Sequence, residues 1–154
     1  MLPFRLAGFR FGPSISSEPG IVIYLLDTSA ISALMRADTA MASWLSSLGS
    51  DDRVVTCAIV RGEILFGIER LASGRRRSEL EGKAAKVFAA LPCAPVPPAA
   101  GDLYATVKST QQRRGLPLDE NDLWIASTAL ALGATLVSYD SDFQSIETLA
   151  VVRP

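Results

Sequence analysis

The sequence contains no histidine. Catalytic triads with histidine, cysteine–histidine pairs, paired-histidine ribonucleases and the usual zinc enzymes all need imidazole, so these classes are excluded. Cys57 and Cys93 do not form a C-x-x-C pair and signal neither a zinc site nor a disulfide framework. Both stand among apolar residues, so we expect buried free thiols. An enzyme of this composition must work mainly with carboxylates, hydroxyls and arginines, with or without a metal.

Long apolar runs are also missing, because none approaches the length of about 20 residues that a transmembrane helix needs. Residues 1–20 are mixed and aperiodic, and they lack the apolar segment of a secretory signal. We therefore expect a flexible N-terminal extension, no membrane association and a cytoplasmic protein. The formal net charge of −1 gives no whole-molecule attraction to nucleic acid, so a polyanion would have to be held by local basic patches or by metal.

Short apolar runs alternate with amphipathic segments along the chain. Residues 21–26 are apolar without alternation, which is typical of a strand buried on both faces, whereas residues 58–72 have a helical apolar stripe. We predict further strands over 53–56, 134–139 and 149–152, an edge segment within 92–98, and helices over 30–36, 40–48, about 80–91, 99–114 and 119–132. This order predicts an α/β three-layer sandwich with a mostly parallel central sheet over residues 21–154.

Two of the predicted strands end at an acid, Asp27 and Asp140. Ligands bind outside the carboxyl ends of parallel strands, where the strand order reverses. Glu63 lies at the border of the apolar stripe of its helix, and Asp122 lies in the first turn of another, so both can face the same crevice. Carboxylate oxygens are the ligands that Mg²⁺ and Mn²⁺ prefer. The four acids together predict a metal site.

Each acid also has a simple structural interpretation. Asp27 would cap the following helix, and Glu63 would be an ordinary surface acid. Asp122 would belong with Asp119 to a helix start, and Asp140 would open a turn. The functional hypothesis therefore depends on the set of four and its context rather than on any single residue.

Four motifs occur in a fixed order: L-L-D-T-S at 25–29, R-G-E-I-L-F-G at 61–67, N-D-L-W-I-A-S-T-A at 121–129 and L-V-S-Y-D-S-D-F at 136–143. In this order and spacing they resemble the PIN-domain family, and more narrowly the VapC-type toxin ribonucleases of type II toxin–antitoxin systems. The resemblance covers about residues 21–152. One departure is Ser138, where the family often has threonine before the fourth acid, and the hydroxyl is retained.

The resemblance implies a set of site residues and partners. The metal-binding and catalytic acids would be Asp27, Glu63, Asp122 and Asp140. The supporting residues would be Thr28, Ser29, Thr56, Arg61, Ser138 and Asp142. It implies a Mg²⁺- or Mn²⁺-dependent endoribonuclease that cleaves structured RNA such as tRNA or rRNA. It also implies a homodimer that a cognate VapB-like antitoxin holds inactive.

Surface residues offer candidate contacts for these partners. For RNA the candidates are Arg75, Arg76, Arg77, Lys83, Lys86, Arg113 and Arg114, although solvated helix ends explain such charges equally well. Arg61 would pair with a site acid or touch phosphate. For the antitoxin groove or the dimer face the candidates are Met35, Trp44 and Leu48, with the core as the alternative place for Trp44.

Three other functions compete with this hypothesis. A HAD-type phosphatase needs a second acid two residues after the first, where this chain has Ser29, and a well-placed lysine that is missing. A receiver domain fails for similar reasons. A catalytically silent PIN-like module that binds RNA or a partner protein would be expected to lack one or more of the acids, and all four are present.

Overall fold

A computed structural model describes residues 20–154, and the predicted extension over residues 1–20 lies outside this range apart from Gly20. The strands are β1 (Ile23–Leu26), β2 (Arg53–Cys57), β3 (Cys93–Ala94), β4 (Thr135–Val137) and β5 (Val151–Val152). The α-helices are α1 (Thr28–Met35), α2 (Thr39–Ser47), α3 (Ala58–Glu69), α4 (Arg75–Ala90), α5 (Ala99–Arg113) and α6 (Glu120–Ala131). A 3₁₀ helix spans Ser141–Ser145.

The five strands form one sheet in the order β3-β2-β1-β4-β5, and every neighbouring pair is parallel. Leu25 of β1 stands opposite Val55 of β2 on one side and Leu136 of β4 on the other. The chain proceeds outward from β1 to β3 and then crosses back to β4, so the strand order reverses between β1 and β4. Because crossovers between parallel strands are right-handed, this strand order puts α1 to α4 on one face of the sheet and α5 and α6 on the other. The contacts of α1 with α3 and α4, and of α5 with α6, agree with this arrangement. The predicted three-layer α/β sandwich is confirmed.

The central strand and the flanking helices meet in one apolar core. Leu25 and Leu26 of β1 are completely buried, as the continuous apolar run predicts for a strand covered on both faces. Val60, Ile64 and Ile68 of α3 are buried on one stripe, as the helical period predicts. Each such side chain contributes about 1.5–3 kcal/mol through burial. Within residues 20–154, no helix has both the length and the apolarity needed to cross a bilayer.

Several local predictions differ from the structure. Helix α4 begins at Arg75 rather than near residue 80, and strand β5 covers only Val151–Val152 of the predicted 149–152. Cys57 is buried as expected, but Cys93 is exposed, because β3 is a two-residue strand at the sheet edge and leaves one face uncovered. The helix predicted over 58–72 ends at Glu69. The strand predicted over 134–139 ends at Val137, because the chain turns there into the 3₁₀ helix, which the sequence pattern does not predict.

Candidate metal and catalytic site

Asp27 follows β1 directly and has the helix-capping role that the sequence suggests for it. Its Oδ1 accepts hydrogen bonds from the Ala30 amide (2.8 Å) and the Ser29 hydroxyl (2.7 Å), so it caps α1. Its Oδ2 accepts from the Ser138 hydroxyl. Burial raises the pKa of Asp27, while these hydrogen bonds lower it. The carboxylate is thus held in one orientation at the carboxyl end of the sheet.

Two serine hydroxyls tie the end of β1 to the end of β4. Ser138 accepts a hydrogen bond from the Asp140 amide at 2.9 Å, and Ser29 accepts one from the Tyr139 amide at the same distance. The Asp27 amide in turn donates to the Val137 carbonyl at 3.1 Å. These bonds place the first and fourth predicted acids side by side, at the point where the strand order reverses. Ligand crevices of open parallel sheets occur at this position.

Glu63 reaches the same region from α3, and both of its oxygens have a donor. The Thr28 hydroxyl donates to Oε1 at 2.6 Å, and the Asn121 side-chain amide donates to Oε2 at 3.2 Å. Asn121 lies in the first turn of α6, where the Asp119 side chain caps the helix by accepting from the Asn121 amide at 3.0 Å. Asp119 thus has the capping role that the sequence assigns to it. Helices α1, α3 and α6 meet at the Glu63 carboxylate.

Asn121 was not among the predicted site residues, although the N-D-L-W motif contains it. Its position before Asp122 is a weak signal, because an asparagine in a first helical turn is ordinarily only a capping or surface residue. Its partner Glu63 lies 58 residues away in the chain, and sequence spacing does not report such a contact.

Asp122 carries the electrostatic signature of the site. Partial burial and then the charges of Asp140, Glu63, Asp119 and Asp27, in that order, together raise its pKa from 3.8 to about 6. The charges of the other three predicted acids therefore act on Asp122. The four carboxylates repel one another, and a bound cation would relieve this repulsion.

The donor set fits a hard divalent cation. All four candidate ligands are carboxylates, which suit Mg²⁺ and Mn²⁺. Asp27 Oδ2 and both Glu63 oxygens each accept only one of the hydrogen bonds described, so each keeps a lone pair for a metal. Among the residues that the structure describes, no three acidic or cysteine side chains form a ready-made ligand cage. The four acids are related by hydrogen bonds between their segments and by electrostatic repulsion, and not by distances typical of ligands around a metal ion.

Residues 24–149 match the PIN-domain family. The chain belongs to the PIN-domain family. Ribonuclease VapC1 of Haemophilus influenzae (strain R2866) is 32% identical to it in an alignment of 134 positions that covers 83% of this chain and 95% of that protein. Membership confirms the predicted family and decides against the HAD-type phosphatase and the receiver domain.

Solved structures have the same fold as this PIN domain. VapBC-1 from nontypeable Haemophilus influenzae matches with a TM-score of 0.74 and 28% identity, covering 86% of this chain and 98% of that one. VapBC2 from Rickettsia felis, bound to a DNA fragment from its promoter, matches with a TM-score of 0.78 and 22% identity, covering 86% and 99%. The second likeness, at that identity, concerns the fold alone.

Two further predicted supporting residues, Thr56 and Arg61, have different partners in the PIN domain. Thr56 is buried in β2, and its hydroxyl donates to the Leu26 carbonyl at 3.1 Å, one residue before Asp27. The guanidinium of Arg61 lies 4.8 Å from the centre of the Phe88 ring. Within residues 20–154 Arg61 forms no ion pair, so the expected pairing with a site acid is not seen.

Asp142 contacts the site acid Asp140 through its backbone amide and not through its carboxylate. Its amide donates to Oδ1 of Asp140 at 2.9 Å, so Asp140 caps the 3₁₀ helix. The turn that the sequence suggests at Asp140 is confirmed. Asp142 itself is exposed and is not among the charges that raise the pKa of Asp122. Of these two acids, Asp140 is the one that the structure couples to the site.

A groove of about 370 Å³ begins beside Glu63 and runs between α1, α3 and α4. Its lining is Thr28, Ser32, Met35, Arg36, Glu63, Ile64, Gly67, Ile68, Leu80 and Lys83. Met35 lies in this groove as predicted, but Trp44 and Leu48 do not line it. Trp44 packs its edge against the Tyr24 ring at 5.2 Å, and Leu48 packs against the core. Both side chains pack on the core, which is the alternative considered for Trp44, and both stay partly exposed, so their place on the dimer face remains a prediction.

Several of the predicted RNA-binding cations already pair with acids on the protein surface. Arg75 and Arg77 form ion pairs with glutamates one turn along α4, and Arg114 pairs with Glu147 at 3.2 Å. Lys83 differs, because it lines the groove beside Glu63. Among the predicted cations, Lys83 is therefore the one best placed to meet a substrate at the site.

Proposed function

We propose that this PIN domain is a metal-dependent endoribonuclease of the VapC type, the toxin of a toxin–antitoxin pair. One observation carries the proposal: four carboxylates, from two strand ends and two helices, share one electrostatic field at the reversal of strand order. The 32% identity to Ribonuclease VapC1 supports RNA as the substrate. A catalytically silent module has no observation in its favour, because no acid of the set is lost.

Asp27, Glu63, Asp122 and Asp140 would hold Mg²⁺ or Mn²⁺. When bound, the cation lowers the pKa of a coordinated water and neutralises charge that develops on the scissile phosphodiester. The protein residues supply the orientation. Ser29 and Ser138 fix the Asp27 carboxylate, and Thr28 holds one oxygen of Glu63. Repulsion between the acids favours binding of a cation, because the cation would neutralise part of their charge.

RNA would approach along the groove beside Glu63. The chain has a net charge of −1, so the phosphate backbone must be attracted locally. Arg36 and Lys83 line the groove, and both can bind phosphates that flank the scissile one. We propose structured RNA such as tRNA or rRNA as the target class.

The same groove is suited to a VapB-like antitoxin. Its apolar lining, Met35, Ile64, Ile68 and Leu80, can accept the apolar face of a helix, and its cations can pair with acids on that helix. Two of the related structures are of VapBC proteins, which supports this partner. An antitoxin seated there would block the path of RNA to Glu63. A homodimer is part of the same proposal.

Cleavage of RNA by the purified, antitoxin-free protein tests the proposal. Total cellular RNA is incubated with Mg²⁺, Mn²⁺ or EDTA, and the fragment ends are mapped. We expect discrete fragments with either metal, none with EDTA, and a loss of about 100-fold or more in Asp27→Asn and Asp122→Asn. Asp51→Asn, which changes an exposed acid in the turn before β2, is the matched control and should cleave like the wild type. Cleavage that survives EDTA or both site substitutions would contradict the proposal.

A further inference from the structure

We infer that Asn121 is a positioning residue, whose side-chain amide fixes the orientation of the Glu63 carboxylate for the metal. This inference rests on the proposed function, because it assigns Glu63 to the metal site. The observation behind it is the juxtaposition of Asn121 on α6 with Glu63 on α3, joined by the 3.2 Å hydrogen bond from Nδ2 to Oε2.

The Asn121 contact completes the fixation of Glu63. The terminal torsion of a glutamate is broad, so a single hydrogen bond leaves the carboxylate free to rotate about it. Thr28 holds Oε1 at 2.6 Å from α1, and Asn121 holds Oε2 from a different helix. With one donor on each oxygen, the plane of the carboxylate is set by two separate helices, α1 and α6.

Helix α6 is rigid enough to hold the donor in place. The Asp119 cap fixes its first turn. Leu123 and Ile125 are almost completely buried, which anchors the helix in the core. The Trp124 ring stacks on Tyr104 of α5 with centroids 4.3 Å apart. Asn121 therefore projects from a backbone that is fixed on several sides.

An amide suits this position chemically. It donates without adding a positive charge that would compete with a cation, and it adds no negative charge beside four acids. It also uses one lone pair of Oε2 and leaves the other for a metal. Hydrogen-bond partners that orient metal ligands typically contribute 10- to 100-fold to metal affinity, and we expect about tenfold here because Asn121 is exposed.

A double-mutant cycle read by Mn²⁺ affinity tests the inference. The bound and free Mn²⁺ are measured by electron paramagnetic resonance for the wild type, Asn121→Ala, Glu63→Ala and the double variant. We expect Asn121→Ala to weaken Mn²⁺ binding about tenfold, and to have no further effect when Glu63 is already alanine. Asn121→Ser keeps a shorter donor and should lie between the wild type and alanine. Gln112→Ala, an exposed amide on α5, is the control and should bind Mn²⁺ like the wild type.

The outcomes separate the inference from the proposed function. If the wild type binds no Mn²⁺, the proposed metal site is wrong and the inference falls with it. If the wild type binds Mn²⁺ but Asn121→Ala binds it equally well, only the inference is overturned. An equal loss with and without Glu63 would also overturn it, because Asn121 would then act through another group such as Asp122. Thermal unfolding in EDTA confirms that each variant is folded, and Asn121→Ser decides the case if the alanine variant is not.

Discussion

Two aspartates of the site, Asp27 and Asp122, differ in how their surroundings act on the charged carboxylate. Asp27 is only 3% exposed, yet three donors satisfy its oxygens, and the hydrogen bonds oppose the rise in pKa that burial causes. Asp122 is less buried, and the four charges that raise its pKa most are those of acids. In the absence of a cation, Asp122 therefore takes up a proton at a higher pH than an ordinary aspartate does.

This difference predicts how the metal-free protein responds to pH. The pKa of Asp122 is about 6 in the folded protein and 3.8 ordinarily, so the folded state binds the proton more tightly than the unfolded chain does. Stability is therefore lost as the pH rises from about 4 to about 6 and stays lower above it. We expect Asp122→Asn to flatten this slope and to be more stable by about 1 kcal/mol at pH 7.5, a value discounted for the solvent exposure of the carboxylate. Urea unfolding in EDTA at pH 5 and pH 7.5 measures it. Equal slopes in both proteins would show that Asp122 is not the group responsible.

At the scale of elements, the buried amide of Gln111 connects the two segments that carry the third and fourth acids. Gln111 is 2% exposed, and its Nε2 donates to the Leu116 carbonyl at 3.2 Å and the Ser145 hydroxyl at 2.6 Å. Leu116 lies in the connection before α6, and Ser145 ends the 3₁₀ helix that Asp140 caps. Helix α5 thereby sets the position of both segments.

Replacing this amide with an apolar side chain of similar size should cost stability. In Gln111→Leu, the Leu116 carbonyl loses a donor, and the Ser145 hydroxyl keeps only its bond to the Asp142 carbonyl. We expect a loss of about 2 kcal/mol in the free energy of unfolding, and faster hydrogen exchange in the 3₁₀ helix. Gln144→Leu, an exposed glutamine in the same 3₁₀ helix, is the comparison and should change little. A stable Gln111→Leu protein with unchanged exchange would contradict this role.

The elements differ in how far the sequence alone could predict them. Strand β1 and helix α3 follow from local apolar patterns, because each buries its own periodic face. Strands β3 and β5 have two residues each and depend on neighbouring strands for their pairing. The 3₁₀ helix depends on contacts such as Gln111 with Ser145, which are 34 residues apart. The exposure of Cys93 was missed because apolar neighbours in sequence do not reveal a sheet edge.

The site was predictable to a similar degree. The four acids could be found because they follow strands or lie at helix positions facing the crevice, and because the motifs resemble a known family. The pairing of Asn121 with Glu63 and the position of Arg61 over Phe88 could not, because each depends on how two helices pack. Sequence order thus indicates which residues meet at the sheet end but not which hydrogen bonds they form.

At the scale of the whole molecule, the near-neutral charge makes RNA binding depend on a few cations. We expect Lys83→Ala, at the groove, to weaken RNA binding in EDTA and to reduce the slope of log K against log salt by about 0.7. Lys86→Ala is the matched control on the same helix, because Lys86 is exposed but does not line the groove. Fluorescence anisotropy with labelled RNA at several salt concentrations measures both. Equal effects of the two substitutions would mean that RNA does not follow the groove.

We propose that Asp27, Glu63, Asp122 and Asp140 hold one divalent-cation site at the carboxyl ends of β1 and β4. A crystal of the antitoxin-free protein soaked in Mn²⁺ at pH 7.5 tests this site through the anomalous signal of manganese. We expect a peak among these carboxylates, at ligand distances of about 2.0–2.6 Å, and its loss in Asp27→Asn. A manganese peak elsewhere on the protein, with none among the four acids, would show that these residues do not form the site.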